Sequence, residues 1–395
     1  MSAVKRFEIA ISDQTLAKIR QKVADYEWHE MPEIEPGGDR WAYGTDREYL
    51  KELCAYWVDG YNWRPHEAQL NAIPQFIATV DELDIHFLHI EGSGGNAEPL
   101  LLTHGWPGSV FEFYEAIDHL AHPQNHGGRA QDGRDLVIPA LPGYGFSGKP
   151  TKPVGPRATA ALWDKLMRNV LGYERYIAQG GDWGSVVTGF LGLNHSPAKG
   201  GGCAACHLNM YGVRSSDAVP QTEEELAWAQ AAGTMMQLES AYMQLQMTKP
   251  QTLSYAMMDS PVGQAGWIVE KFHRWSDRRG ADGSDSIENA FTKDQLLTNL
   301  MFYVATGKFN TATWFYRGLM DEGGANMPTG ERVAVPTGIA NYPQEFLVFP
   351  PRPMVEKGYD VVRWTDFAEG GHFAAMERPA LFAADVTAFC ASLSL

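Results

Sequence analysis

Apolar and polar positions change their spacing several times along the chain, and each spacing predicts a different kind of element. Between residues 1 and 75 the spacing is mainly helical. Leu50, Leu53, Cys54 and Trp57 stand at i, i+3, i+4 and i+7, which is the pattern of one apolar helix face. We therefore expect a helical meander at the start of the chain.

The apolar spacing then changes to every second residue. We expect the helical meander to end at residues 63–65, where a proline occurs, and to continue as a polar link to Pro74. Beyond this link, alternate positions are apolar on both sides of a turn at residues 81–82, which predicts a β-hairpin. The alternating positions are Phe76, Ala78, Val80, Ile85, Phe87 and His89.

Three short apolar runs follow the hairpin, and each leads into a glycine-rich turn. The runs occupy residues 100–102, 136–138 and 176–178, and helical stretches separate them. Strands that alternate with helices predict an α/β fold with a mostly parallel central sheet. Because binding sites in such sheets lie at the carboxyl ends of the strands, we expect the three turns to border one crevice.

A long segment without strand signal interrupts this α/β pattern. The segment has helical spacing and six closely placed methionines, which suit a flexible apolar pocket: Met235, Met236, Met243, Met247, Met257 and Met258. Strands resume near residues 333–335 and 361–364. We expect four parts, namely the meander (1–75), a first part of the core (76–213), a helical lid (214–326) and a second part of the core (327–395).

Composition and charge exclude several classes of protein. Of the 395 residues, 44% are hydrophobic, and 32 Lys and Arg against 48 Asp and Glu give a net charge of −16. Nucleic acid and anionic membrane surfaces are therefore not expected partners. No window reaches the roughly 18 apolar residues of a membrane span, and the first residues lack the apolar run of a signal peptide. With only 4 cysteines, we expect a soluble cytoplasmic protein without a disulfide framework or membrane anchor.

The turn at residues 180–184, Gly-Gly-Asp-Trp-Gly, carries the sharpest chemical signal. It has the small-x-nucleophile-x-small form of a nucleophile elbow, with Asp182 where serine usually stands. Apolar residues at helical spacing follow it, so Asp182 is expected at a helix N-terminus, where the helix dipole favours a carboxylate. An ordinary turn aspartate that caps a helix is the alternative interpretation.

An earlier turn, His104-Gly105-Trp106-Pro107, stands where elbow enzymes place part of the oxyanion hole. We expect the backbone N–H groups of Trp106 and Trp183 to form that hole. The same chain order requires a histidine near the C-terminus, after the last strand, and only His372 meets this condition.

The acid that orients this histidine is less narrowly defined. It should follow the strand near residues 333–335, where Glu345 is the first candidate, with Asp360 and Asp366 further on. Glu345 has the better position because it precedes the final strand. Asp366 shares a loop with His372 and is the second choice.

An aspartate nucleophile restricts the reaction. Attack on an ester or amide gives an anhydride, whereas attack on an sp³ carbon displaces a leaving group and gives an alkyl-enzyme ester. Water activated by neutral His372 then attacks the carbonyl carbon of this ester. Suitable leaving groups are an epoxide oxygen and a halide.

These motifs together resemble the microsomal-type epoxide hydrolases of the α/β-hydrolase fold, and the resemblance extends over nearly the whole chain. The motifs are Asn-Trp-Arg-Pro at 62–65, His-Gly-Trp-Pro-Gly-Ser at 104–109, Gly-Gly-Asp-Trp-Gly at 180–184, His-Leu-Asn at 207–209 and Gly-Gly-His-Phe-Ala-Ala at 370–375. The resemblance implies a small-molecule epoxide and water as reactants, a vicinal diol as product, and no metal or organic cofactor.

The resemblance also implies the remaining site residues. Two lid tyrosines, Tyr242 and Tyr316, correspond to the family's proton donors to the epoxide oxygen, and Glu345 corresponds to its acid. A haloalkane dehalogenase is the alternative activity, since it shares the aspartate nucleophile. A ligand-binding protein on a hydrolase fold is a third possibility.

One further motif, Cys-Ala-Ala-Cys-His at residues 203–207, matches the spacing of covalent haem attachment. It lies where the strand after the elbow helix is expected, with alternate residues buried. We therefore expect part of the sheet here and no haem.

Overall fold

The computed structural model describes residues 4–95 and 97–393. In these ranges the strands are β1 Lys5–Arg6, β2 Gln75–Val80, β3 Leu83–Ile90, β4 Leu100–Thr103, β5 Leu136–Pro139, β6 Tyr176–Gly180, β7 Cys203–Leu208, β8 Arg214–Ser215, β9 Asn326–Met327, β10 Val333–Asn341 and β11 Tyr359–Asp366. The helices before the elbow are α1 Asp13–Ala24, α2 Arg47–Asp59, α3 Trp63–Asn71, α4 Ile117–Ala121 and α5 Pro156–Lys165. The later ones are α6 Trp183–Asn194, α7 Glu223–Glu239, α8 Ala241–Thr248, α9 Pro250–Met257, α10 Pro261–Trp275, α11 Lys293–Val304, α12 Phe309–Asp321, α13 Arg352–Gly358, α14 Ala374–Glu377 and α15 Pro379–Ser392.

A single large sheet has the strand order β1-β2-β3-β5-β4-β6-β7-β10-β11. The pairs β1–β2, β2–β3 and β3–β5 are antiparallel. In the rest of the sheet, from β5 through β4, β6, β7 and β10 to β11, every pair is parallel. Every residue of β4, β5, β6 and β7 is buried, as expected for central strands covered on both faces. The predicted mostly parallel sheet and the hairpin are thus confirmed.

The N-terminal region is helical as predicted, and the stripe Leu50, Leu53, Cys54 and Trp57 is buried on α2. The expected end of the helical region at residues 63–65 is wrong. A third helix begins there, because the Asn62 side chain accepts a hydrogen bond from the Arg64 N–H and proline is tolerated in a first helical turn.

The segment between β8 and β9 consists mainly of helices, α7 to α12. Strands β8 and β9 pair in parallel through two residue pairs, so the two ends of the segment lie side by side. Capping boxes start two of these helices, with Thr222 and Glu225 at α7 and Thr292 and Gln295 at α11.

The haem-like motif forms β7, which is wholly buried, and its two thiol sulfurs lie 3.8 Å apart. Over residues 4–95 and 97–393, no helix combines the length and apolar character needed to cross a membrane. In the same ranges, no group of three or more His, Cys, Asp or Glu side chains is arranged to hold a metal ion.

Candidate active site

Asp182 occupies a sharp turn between β6 and α6. Its φ of 47° and ψ of −126° lie outside the regions that non-glycine residues prefer, so this backbone is strained. The flanking glycines make the turn possible. A Cβ on Gly184 would lie 1.8 Å from the Thr103 carbonyl oxygen, and one on Gly180 would lie 2.2 Å from the Gly184 backbone. The sequence pattern of small residues thus has a direct steric cause.

The Asp182 carboxylate is held by one N–H group and faces a histidine. The Trp106 backbone N–H donates to Oδ1 over 2.7 Å. His372 Nε2 lies 3.4 Å from Oδ2. Gly105 allows this approach, because a Cβ there would come within 2.3 Å of Oδ1. Trp183, the first residue of α6, is one of the residues whose N–H has no partner within an α-helix.

His372 is buried together with one carboxylate. Its Nδ1 lies 2.8 Å from Glu345 Oε2 and 3.0 Å from Oε1, and both residues are at most 4% exposed. Asp366 is exposed and accepts hydrogen bonds from Asn341 and Trp364 instead. Of the three carboxylates named for this position, the structure therefore brings Glu345 to His372.

The protonation of His372 reflects these neighbours. Burial lowers the pKa of the imidazole, but the Glu345 carboxylate and then Asp182 outweigh burial and raise this pKa well above its ordinary value. These neighbours favour the protonated, positively charged imidazole in the free enzyme.

The two predicted tyrosines lie close to each other and border the same cavity as Asp182. Tyr242 on α8 and Tyr316 on α12 are both buried, and their ring centroids are 5.9 Å apart. The Trp106 ring stacks on Tyr242 at 5.0 Å, and the Trp183 ring meets Tyr316 edge-on at 4.6 Å. Burial and the Asp182 charge raise the pKa of Tyr242 well above its ordinary value, and burial and Tyr242 do the same for Tyr316. Both phenols are therefore protonated at neutral pH.

Asp182, Tyr242 and Tyr316 line one cavity of about 290 Å³. Most of its other walls are apolar, including Met210, Met236, Met243, Met247, Leu319 and Phe346. Three of the six methionines that suggested a flexible pocket therefore contribute to it. Such a cavity accommodates an apolar small molecule next to a carboxylate and two phenols.

Comparison with known proteins gives a consistent result. The sequence profile "Epoxide hydrolase N terminus" matches residues 4–113, and the profile "alpha/beta hydrolase fold" matches residues 98–320. Epoxide hydrolase 1 from Sus scrofa is 35% identical over 98% of this chain and 88% of its own length. The chain belongs to the epoxide hydrolases of the α/β-hydrolase fold.

Solved structures of epoxide hydrolases have the same architecture. Juvenile hormone epoxide hydrolase from the silkworm Bombyx mori superposes with a TM-score of 0.86 at 29% identity, over 99% of this chain and 95% of that one. Aspergillus niger epoxide hydrolase gives 0.81 at 30% identity, over 98% and 96%. The expected family and fold are thus confirmed, and the dehalogenase alternative is not favoured.

Two ionisable residues close to the site of this epoxide hydrolase were missed by the sequence analysis. Burial raises the pKa of Glu112 to about 8, and its Oε1 lies 3.4 Å from the Gly105 N–H. Lys271 on α10 is 7% exposed and lies beside Tyr242. No motif or spacing singled out either residue, although Lys271 stands four residues before Trp275, on the same helix face.

Proposed function

We propose that this chain hydrolyses epoxides to vicinal diols through an ester on Asp182. The observation that carries the proposal is that one cavity joins the Asp182 carboxylate to two buried phenols. A carboxylate attacks an sp³ carbon, and phenols protonate an oxygen that leaves it. The His372–Glu345 pair beside Asp182 supports a base that activates water for hydrolysis of the ester.

In the first step, an Asp182 oxygen forms a bond to a ring carbon while the carbon–oxygen bond of the epoxide breaks. The electron pair of that bond moves to the epoxide oxygen. This oxygen takes a proton from Tyr242 or Tyr316, which becomes a phenolate. The raised pKa of each phenol keeps the proton available at neutral pH.

In the second step, loss of the Asp182 charge lets His372 release its proton to solvent, from which it regains one when that charge is restored. The neutral imidazole then removes a proton from water, and the hydroxide adds to the ester carbonyl carbon. The N–H groups of Trp106 and Trp183 stabilise the resulting oxyanion, a role supported by the hydrogen bond from Trp106 to Asp182. The departing alkoxide takes the proton from His372. The proton left on Asp182 returns to the tyrosine phenolate, so one water and one epoxide give one diol.

The test is diol formation from a panel of aryl and alkyl epoxides, with Asp182→Ala and His372→Ala as variants. We expect diol from the unaltered enzyme and no turnover by Asp182→Ala. His372→Ala should accumulate an adduct with the mass of the substrate on the peptide that contains Asp182. Diol formation by Asp182→Ala at the unaltered rate would contradict the mechanism, and halide release from a haloalkane would favour the dehalogenase.

The four-part organisation and the cytoplasmic location are also part of this proposal. The pairing of β8 with β9 supports a lid between residues 214 and 326 as a separate part. The four cysteines, Cys54, Cys203, Cys206 and Cys390, are all free and buried, which is typical of a reducing compartment. Cell fractionation with an antibody against the chain tests the location.

A further inference from the structure

A buried ammonium group lies against the ring of one of the two proposed proton donors. Lys271 is 7% exposed, and its Nζ lies over the Tyr242 ring, 4.7 Å from the centroid. The same Nζ is 5.5 Å from the centroid of the Trp275 ring. Lysine is almost never this deeply buried without a specific partner. Two aromatic faces provide cation–π contacts for it.

Lys271 also has a carboxylate partner. Glu270 Oε2 lies 2.5 Å from Lys271 Nζ, and the Glu270 side chain is 23% exposed against 9% for Lys271. Solvent therefore screens the carboxylate more than the ammonium. The charged atom placed over the Tyr242 ring is the Lys271 ammonium, while the Glu270 carboxylate acts on the phenol in the opposite direction and raises its pKa.

The second tyrosine has a different environment. Tyr316 meets the edges of the Trp183 and Trp106 rings, at 4.6 and 5.8 Å, and its hydroxyl has no hydrogen-bond partner among the described residues. The contacts of Lys271 with aromatic faces in the described ranges involve Tyr242 and Trp275. The two phenols are thus chemically inequivalent.

We propose that Lys271 is a positioning residue for ring opening, and that it makes Tyr242 the principal proton donor. The inference rests on the proposed function. When the epoxide oxygen takes the Tyr242 proton, the ring of Tyr242 gains a negative charge. The ammonium attracts the phenolate more strongly than the neutral phenol, so it lowers the energy of the transition state of ester formation. Lys271 does not affect the later step, in which water attacks the ester.

The experiment measures the two steps separately, by rapid quench of a single turnover and mass spectrometry of the Asp182 peptide. Lys271→Met removes the charge with little change of shape, and Lys271→Gln is a second neutral variant if the first does not fold. We expect ester formation to slow about tenfold, which corresponds to about 1.4 kcal/mol. Ester hydrolysis should stay within about twofold. Lys271→Arg should recover most of the rate, because it retains the cation.

A matched control is Lys249→Met, which removes an exposed lysine at the end of α8, the helix that carries Tyr242. Both step rates should then remain unchanged. A purely structural role of Lys271 would slow both steps in Lys271→Met and would not be restored by arginine. That outcome would overturn the proposal.

A double-mutant cycle tests whether Lys271 acts through Tyr242. In a Tyr242→Phe background, in which Tyr316 still donates a proton, Lys271→Met should slow ester formation less than twofold. An equal loss in both backgrounds would contradict the role of Lys271 and leave the proposed function intact. Absence of any adduct or diol with the unaltered enzyme would contradict the proposed function itself.

Discussion

His372 lies between two carboxylates, and the proposed reaction changes the charge on only one of them. In the free enzyme Glu345 and Asp182 together raise the pKa of His372 well above its ordinary value, against the effect of burial. Formation of the ester removes the Asp182 charge. The imidazole then loses its proton more readily, and the neutral form is a competent base for water. The proposed nucleophile and the proposed base are thus coupled electrostatically through the 3.4 Å contact between them.

Replacement of Glu345 by glutamine should lower the pKa of His372. The change removes the larger of the two attractive charges while the amide can still accept a hydrogen bond from Nδ1. The proton is therefore lost at a lower pH than in the unaltered enzyme, as an NMR titration of the imidazole would detect. Asp366→Asn is the matched control, and a shift of equal size there would restore Asp366 as the candidate acid.

Single site residues could be predicted from the sequence where the chain order of an elbow enzyme leaves few candidates. Asp182 and His372 follow from the order of elbow, acid and histidine, and Glu345 follows from its position before the last strand. Spacing could not select Tyr242 and Tyr316, since the chain has 16 tyrosines and only the family resemblance identified them. Lys271 escaped detection because its partner Tyr242 lies on another helix, and such contacts leave no local pattern.

One cluster of charged and polar side chains around the buried Asp385 holds together helix α15 and strands β7 and β11. Asp385 on α15 accepts hydrogen bonds from His207 on β7 and from Arg363 and Thr365 on β11. Burial raises the pKa of Asp385, but these bonds and the charge on its partners outweigh burial and lower it to about 2. The cluster therefore connects a helix to two strands of the sheet.

Asp385→Ala should lower the free energy of unfolding by about 3 kcal/mol at pH 7, because it leaves Arg363 and His207 without their buried partner. The lowered pKa sets the sign of the pH dependence. Stabilisation by Asp385 is present above about pH 4 and is lost as the pH falls towards 2. Urea unfolding at pH 7 and pH 3 should therefore show a smaller difference between variant and unaltered chain at pH 3. Asp321→Ala, in an exposed pair with Arg317, should change stability by less than about 1 kcal/mol.

The helices and strands were predicted correctly where a long segment is periodic. The prediction failed where one residue, such as a proline, is compatible with two different structures. The buried stripe of α2 and the alternation in β2 and β3 determined those elements. Pro65 is compatible with either the end or the first turn of a helix, and the Asn62 cap decides for the latter. The β8–β9 pair has two residues in each strand and depends on a contact between positions more than 100 residues apart, so no local signal predicts it.

The whole molecule combines a tightly packed sheet with one loosely packed helix over the cavity. Only Glu225 is buried among the 17 residues of α7, whereas nearly all of α6 is buried. Leu238 on α7 is 70% exposed, yet Met236 and Glu239 of the same helix line the cavity. Few buried contacts allow local opening at a low free energy.

Hydrogen exchange should therefore be faster in α7 than in α6 or α10, by at least about tenfold at neutral pH. The physical reason is that opening α7 exposes little apolar surface, while opening α6 disrupts the core. Exchange followed by mass spectrometry of peptides from each helix checks this. Equal protection of α7 and α6 would show that α7 is held by contacts stronger than its burial indicates.

The side-by-side ends of the segment from β8 to β9 have a consequence for how such enzymes diversify. Because the two ends of this segment lie side by side, a replacement segment of a different length can close the same gap. The change in chain entropy on folding is then small, since the cost of loop closure grows slowly with length. Asp182, His372 and Glu345 all lie outside it, while Tyr242 and Tyr316 lie within it. Grafting the corresponding segment of a relative between residues 215 and 326 thus exchanges part of the pocket walls together with both phenols, while walls such as Met210 and Phe346 remain. We expect substrate selectivity to change with the graft, while the proposed nucleophile Asp182 and the proposed base His372 remain those of the host.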